Sequence, residues 1–309
     1  MGPREKRMGQ EAEKPTYLVA DCGGSWCRVR LLSADGKRLA EGTGGPANVS
    51  AGLAPALSEV FRAAREALEV LDNPTPLSNL QASLAVAGLN EPAVRREFTE
   101  TAHPFASLTG ETDAFVAQIG AFAGGDGGLL ITGTGACAFG KIDDETFEFG
   151  GWGFAISDQG SGARLGHLAV RRALQALDGL RPSSAGCDAV LEQIGTTPGE
   201  VSRWARDARP ADFGAFAPIL FEAADAGDGV ARELIMTVAA EVDELLEALK
   251  SRGLQKICHI GGLAGPIRPW LSDDSLARLT DPKGDTFEGA WRMLREGTGL
   301  QNRNRREGK

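Results

Sequence analysis

The stretch Thr16-Tyr17-Leu18-Val19-Ala20-Asp21-Cys22-Gly23-Gly24-Ser25 runs an apolar strand into a carboxylate and then into a turn of small residues. The construction recurs: Leu129 to Thr132 leads into Thr132-Gly133-Thr134-Gly135, and Lys256 to Ile260 leads into Gly261-Gly262. Small residues at a chain reversal let backbone N–H groups approach a polyphosphate with no side chain in the way. Three such turns in one chain predict a nucleotide clamp.

Outward from the first turn, Cys27 to Leu32 pairs back as a hairpin, the turn Ser33-Ala34-Asp35-Gly36 ends it, and Arg38 to Gly42 completes a meander. Leu53 to Leu71 carries Leu53, Ala56, Leu57, Val60, Ala64, Leu68 and Leu71 at helical spacing. Leu80 to Ala87 is a buried strand ending in Gly88-Leu89-Asn90, Glu91 to Glu100 is helical, and Glu111-Thr112-Asp113 opens a further helix. After Gly124 to Gly128 the meander repeats as Leu129 to Thr132, Ala136 to Ile142 and Phe147 to Gly150. This echo predicts two related halves. Helices are expected over Gly160 to Leu177, in weaker patches at Asp188 to Leu191 and Val201 to Arg206, twice within Phe213 to Gly253, and from Gly289 to Leu294.

At 309 residues and 42% hydrophobic content the chain exceeds the size at which a single core stops growing, so two domains with a cleft are expected. A formal net charge of -9 argues against a nucleic-acid surface, which needs clustered Lys and Arg. No apolar run spans a bilayer, and Met1 to Lys14 is charged rather than built like a signal peptide, which predicts a cytoplasmic protein with no membrane partner. Five dispersed cysteines, odd in number and without a CxxC pair, fit reduced buried thiols better than a disulfide framework or a zinc site.

Asp21, at the carboxyl end of a strand before a glycine turn, can hold hydrated magnesium against phosphates, or it is a plain turn-initiating Asp. Ser25 adds a hydroxyl there, or bonds its own backbone. Thr132 to Gly135 alternates hydroxyls with small residues, a pattern suited to terminal phosphate oxygens. Gly261 and Gly262, with Ala264-Gly265 behind them, allow an adenine or ribose to lie on the backbone, or make a tight strand-to-helix connection. Asp113 is the candidate general base, since phosphoryl transfer needs a carboxylate near the attacking hydroxyl; the competing reading is a helix N-cap. Gly150-Gly151-Trp152-Gly153-Phe154 with Ser157-Asp158-Gln159-Gly160-Ser161-Gly162 supplies an acid and an amide for vicinal sugar hydroxyls. Asn48 is a further hydroxyl contact or a turn Asn. His103, His167 and His259 show no metal spacing, and His259 in its apolar strand reads as a core side chain.

Leu18 to Arg30, Leu108 to Phe115, Leu130 to Phe139, Gly150 to Gly166 and Ile257 to Ala264 together resemble the BadF/BadG/BcrA/BcrD-type ATPases, and within them the glucosamine and N-acetylglucosamine kinases. The resemblance runs from about Tyr17 to about Leu294, and its most specific element is Gly-Gly-Trp-Gly-Phe followed by Ser-Asp-Gln-Gly-Ser-Gly. It implies an α/β chain of two ribonuclease-H-like domains of the actin, sugar kinase and Hsp70 type with an interdomain cleft. On that pattern residues 1–15 are a disordered segment, 16–112 the first domain with a last helix over 287–300 packed back on it, 113–286 the second, and 301–309 a flexible tail. It also implies ATP and Mg2+ as cofactors. Asp21, Gly23, Gly24 and Ser25 would form the first phosphate motif, with Asp21 toward the metal; Thr132, Gly133, Thr134 and Gly135 the second; Gly261 and Gly262 the adenosine motif. Asp113 would be the catalytic base, and Asn48, Asp113, Gly151 and Asp158 would contact the sugar. The chain departs from the pattern at Trp26 and Cys27, which replace a lysine and a threonine, at Gln159 in place of Glu, and at Arg164 in place of Trp.

The expected function is therefore transfer of the γ-phosphoryl group of ATP to the 6-hydroxyl of N-acetylglucosamine or glucosamine, by a homodimer. Two others compete with it. One is an ATPase activator of a 2-hydroxyacyl-CoA dehydratase or benzoyl-CoA reductase system, which needs cysteines exposed at a dimer interface to hold an iron–sulfur cluster. The other is a sugar sensor without chemistry, against which the carboxylate at Asp113 speaks.

Overall fold

The computed structural model describes residues 14–24, 26–49, 52–143 and 145–302. These gather into two compact units. One takes the chain through Ala123 and from Gly284 onward, the other is Gly124–Lys283.

The first unit opens with the meander β1 (Tyr17–Cys22), β2 (Cys27–Leu32) and β3 (Arg38–Gly44), followed by α1 (Leu53–Glu69), β4 (Gln81–Val86), α2 (Pro92–Glu100), β5 (Ser107–Glu111) and α3 (Asp113–Phe122). The second unit repeats the meander as β6 (Gly127–Thr132), β7 (Ala136–Ile142) and β8 (Glu145–Gly150). Six helices follow: α4 (Gly162–Leu177), α5 (Ala185–Ile194), α6 (Pro198–Asp207), α7 (Pro210–Gly214), α8 (Ala217–Asp225) and α9 (Gly229–Ser251). Strand β9 (Ile257–Ile260) and the short helices α10 (Ala264–Ile267) and α11 (Asp273–Leu276) end it, and the chain returns to the first unit as α12 (Thr286–Glu296) and β10 (Leu300–Asn302).

The first sheet has the order β10-β5-β4-β1-β2-β3, with β1, β4 and β5 parallel and the meander antiparallel. One face packs on α1, whose stripe Ala56, Leu57, Val60, Ala63, Ala64 and Ala67 is buried together with Phe98 and Phe105. Gly42 makes that approach possible, because a Cβ there would overlap the carbonyl oxygen of Ala63. On the other face Val19 and Ala85 pack with Val116, Ile119, Phe287, Ala290 and Met293 from α3 and α12.

The second sheet has the order β8-β7-β6-β9, with β6 and β9 parallel. Leu130, Ala138 and Ile257 join it to a core built from α4, α5, α8 and α9. The two meanders are the observed form of the echo in the sequence.

Three expectations need correction. Strand β5 is absent from the sequence reading, because Ser107-Leu108-Thr109-Gly110-Glu111 has no clean alternation and includes a glycine packed against the Phe98 ring. Gln301 and Asn302 are not tail but edge strand: Gln301 pairs with Thr109, and the Asn302 amide donates to Thr101 O at 2.8 Å and to Phe98 O. Helix α3 belongs to the first unit, so the chain crosses between units at 123/124 and not at 112/113; its partner α12 holds it there. Of the segments expected to be disordered or flexible, residues 1–13 and 303–309 lie outside the described residues.

Candidate functional site

In the first unit the parallel strands bring their carboxyl ends to one edge. Asp21 on β1, Ala85 on β4 and Glu111 on β5 are in register across that edge, the side of a parallel sheet where ligands characteristically bind. The turn after β1 closes through Gly23 N–H to Trp26 O at 3.0 Å. Gly23 O accepts from Ala47 N–H at 3.0 Å, and Val49 N–H bonds Ala87 O, which anchors the loop carrying Asn48. Asn48 thereby sits beside Gly24, close enough that a Cβ on Gly24 would be 3.3 Å from its Nδ2.

Asp21 pairs across the hairpin with Arg28, Nη2 to Oδ2 at 2.8 Å. The Arg28 guanidinium also lies over the Trp26 and Phe287 rings. This cation, which the sequence reading missed, faces the same carboxylate that was assigned to magnesium. Ser25 lies outside the described residues.

Asp113 is the first residue of α3 and is half-buried. The cap is its neighbour: Thr112 Oγ1 accepts from Phe115 N–H at 3.3 Å. The N-cap position is thus taken by Thr112, and Asp113 stands one residue inside the helix. The corner that carries it is clamped by a bidentate pair, Arg95 to Glu111 at 2.9 and 2.6 Å, with Arg95 also donating to Leu89 O. Glu111 in turn accepts from Thr112 N–H at 3.2 Å. The Glu111 hydrogen bonds hold the Arg95 value above its ordinary one. The Cys27 sulfur and burial push the Cys22 thiol up, with smaller contributions from Asp21 and Asp113.

In the second unit the turn after β6 is built into its neighbours. Gly133 O accepts from Gly162 N–H at 2.7 Å and Thr134 O from Ala163 N–H at 3.2 Å, so the first turn of α4 props the turn from behind. Ser161 caps that helix, its hydroxyl accepting from Arg164 N–H. The turn after β9 is tied in through Leu263 N–H to Thr132 O at 3.0 Å. Gly261 has φ of 103°, and a Cβ there would overlap the Thr132 backbone, so two separate reasons restrict the position to glycine. The Thr132 hydroxyl is buried against His259 Nε2 at 2.8 Å, leaving Thr134 as the exposed hydroxyl of the turn. His259 is therefore a half-buried partner of the turn, and burial lowers it to about 4.

Beside these turns opens a cavity of about 430 Å³, lined by Gly133, Thr134, Gly162 and Gly262 on the loop side and by Pro218, Phe221 and Glu222 of α8 on the other. Glycines line one wall, and apolar side chains with the Glu222 carboxylate line the other. No local sequence signal marks the α8 side, because an outward helix face joins the site only through folding.

Gly151 and Asp158 come to the same hairpin. Gly151 N–H bonds Ala136 O at 3.0 Å, and the Asp158 carboxylate lies over Gly135, 3.1 Å from where a Cβ would stand. Asp158 is 7% exposed and has a left-handed φ of 65°. Burial raises its carboxyl above the ordinary range, against the pull of the Ala136 N–H. It forms no ion pair among the described residues. The Gly160 N–H and the Arg164 guanidinium both reach Glu241 of α9 at 2.9 to 3.0 Å, which explains how an arginine is accommodated in the first turn of α4.

A model of the BadF/BadG/BcrA/BcrD ATPase family matches residues 20–275. The chain is 36% identical over 275 residues to glucosamine kinase GspK of Vibrio cholerae, covering 89% of this chain and 94% of that one. It is 25% identical to the N-acetyl-D-glucosamine kinase of Dictyostelium discoideum, over 79% and 82% of the two chains. A crystal structure assigned as an N-acetylglucosamine kinase from Chromobacterium violaceum superposes with a TM-score of 0.84 at 31% identity, over 91% of this chain and all of that one. A ROK family glucokinase from Streptomyces griseus shares the fold, with a TM-score of 0.54 at 17% identity over 89% and 97%. The fold is that of the actin-like sugar kinases.

Proposed function

The chain belongs to the BadF/BadG/BcrA/BcrD ATPase family, and from that premise we propose that it transfers the γ-phosphoryl group of ATP to the 6-hydroxyl of an amino sugar, glucosamine or N-acetylglucosamine. The observation that supports this is a cavity in the second unit bounded by two glycine turns, in a chain 36% identical to a glucosamine kinase.

Each unit contributes its own part. In the second, Gly133, Thr134, Gly135, Gly261 and Gly262 hold the nucleotide through backbone N–H groups and the Thr134 hydroxyl, while the propped carbonyls keep those groups fixed before the ligand arrives. Thr132 serves through its backbone and its tie to His259. In the first, Gly23 and Gly24 receive phosphate, and Asp21, oriented by its pair with Arg28, would hold the magnesium ion. The magnesium nucleotide, when bound, supplies the phosphoryl group and the neutralisation of its charge. Asp113 accepts the proton of the attacking hydroxyl, and the Arg95–Glu111 clamp fixes where that carboxylate points. Asn48, Gly151 and Asp158 bind the sugar hydroxyls, each losing a hydrogen bond if the hydroxyl is absent.

The activator reading is not favoured: the relatives at 36% and 25% identity are amino-sugar kinases, and Cys22, Cys27, Cys187 and Cys258 are buried. We place the enzyme in the cytoplasm as a homodimer, for which light scattering should give twice the 32.4 kDa of one chain.

Coupled ADP release with glucosamine, N-acetylglucosamine and glucose tests the activity, and no turnover with any of them would refute it. Asp113→Asn should lower kcat by roughly 10²–10⁴-fold with KM for both substrates little changed. Retained activity in that variant would remove the base assignment.

A further inference from the structure

Cys22 ends β1 and Cys27 begins β2, and the two face each other in the hairpin register. Their Sγ atoms are 3.5 Å apart, and both side chains are fully buried. The next pair toward the tip, Gly23 and Trp26, is joined by a backbone hydrogen bond, which makes Cys22–Cys27 the non-hydrogen-bonded kind of antiparallel pair. In that kind the Cα atoms approach to about 4.5 Å and the side chains lean together, within the roughly 4.4–6.8 Å span that a disulfide bridges. The sulfurs can therefore bond by side-chain rotation with the strand pairing intact.

We propose that Cys22 and Cys27 are an oxidation site, closed to a reversible disulfide by peroxide, and that the bond staples the stem of the first glycine turn and weakens nucleotide binding. The second half of this rests on that turn being a phosphate loop.

One thiolate attacks a peroxide oxygen; the O–O bond breaks, a sulfenic acid forms, and the departing hydroxide takes up the released thiol proton as water. The second sulfur then attacks the sulfenic sulfur. The S–S bond forms, the S–O bond breaks, and hydroxide leaves with the second proton as a second water. Two thiols lose two electrons, one peroxide gains them, and a small thiol reductant reverses the change. Both side chains are fully buried, so reaction starts when the paired strand ends at Cys22 and Cys27 become exposed to peroxide, which a seated nucleotide resists.

The test treats the full-length protein with hydrogen peroxide, quenches it, and maps cysteine-containing peptides without reduction. The expected result is a Cys22–Cys27 link that dithiothreitol removes, that a non-hydrolysable ATP analogue slows, and that Cys22→Ala and Cys27→Ala abolish. With the link in place KM for ATP should rise roughly fivefold or more while KM for the sugar stays put. Oxidation confined to Cys137, sulfinic acid at either residue without a link, or an unmoved KM for ATP in the linked protein would overturn the proposal. If no sugar is phosphorylated at all, the kinase reading fails separately, and the peptide map with equilibrium nucleotide binding still decides this one.

Discussion

Asp158 bears two costs in a single residue, a left-handed backbone and a carboxylate buried without a cation among the described residues. Burial raises its folded-state value, so the protonated form is the one the fold favours. Any stability linked to it is fully present below the unfolded carboxylate value and lost as pH rises through the folded one. Asp158→Asn should therefore melt at or above the wild-type temperature at pH 7, with the gap closing toward pH 4, while sugar phosphorylation collapses. A variant clearly less stable at pH 7 would show the carboxylate to be compensated. His259 works in the opposite sense. Its value drops from 6.5 to about 4, so between those pH values the unfolded chain takes up a proton that the folded chain refuses. Stability falls by roughly 3 kcal/mol as pH descends through that window. His259→Gln, which keeps a donor for Thr132, should flatten that acid limb; superimposable melting-against-pH curves would count against the assignment.

Among the elements, the α3–α12 crossing rests on glycines from both helices. A Cβ on Gly120 would overlap Asp285 O, and one on Gly289 would overlap Val116 O. Gly289→Ala should cost about 1–3 kcal/mol and lower Tm by several degrees. An unchanged melting temperature would mean that the helices can separate at no cost. Because α3 begins at Asp113, kcat should fall with stability in this variant. The elements also show which signals a sequence carries. The meanders were legible because alternating strands and glycine turns are local patterns, and α1 was legible from its stripe. Strand β5 was not, since its burial on both sides comes from β4 and β10, one earlier in the chain and the other nearly two hundred residues later.

For the molecule as a whole, the net charge of -9 leaves the proposed binding of an anionic nucleotide to local groups, to which a magnesium ion at Asp21 would add positive charge. Chelation of divalent cations should therefore abolish turnover and return on magnesium addition, and turnover persisting in excess chelator would exclude the metal role. A nucleotide at a hundred times its Kd should stabilise the protein by about 2.7 kcal/mol, visible as a rise in Tm that a sugar alone does not reproduce.

The alternation of strands and glycine turns along the chain, by itself, determined the doubled meander, and the resemblance of its motifs pointed to the family. Glycine at a reversal and a carboxylate at a strand end carry their meaning in a few neighbouring residues. Tertiary structure alone decided that Thr112 takes the cap position, that the Thr132 hydroxyl is spent on His259, that α8 walls the cavity, and that Cys22 meets Cys27. Each of those depends on a distance or a direction between groups, which packing fixes and residue identity leaves open.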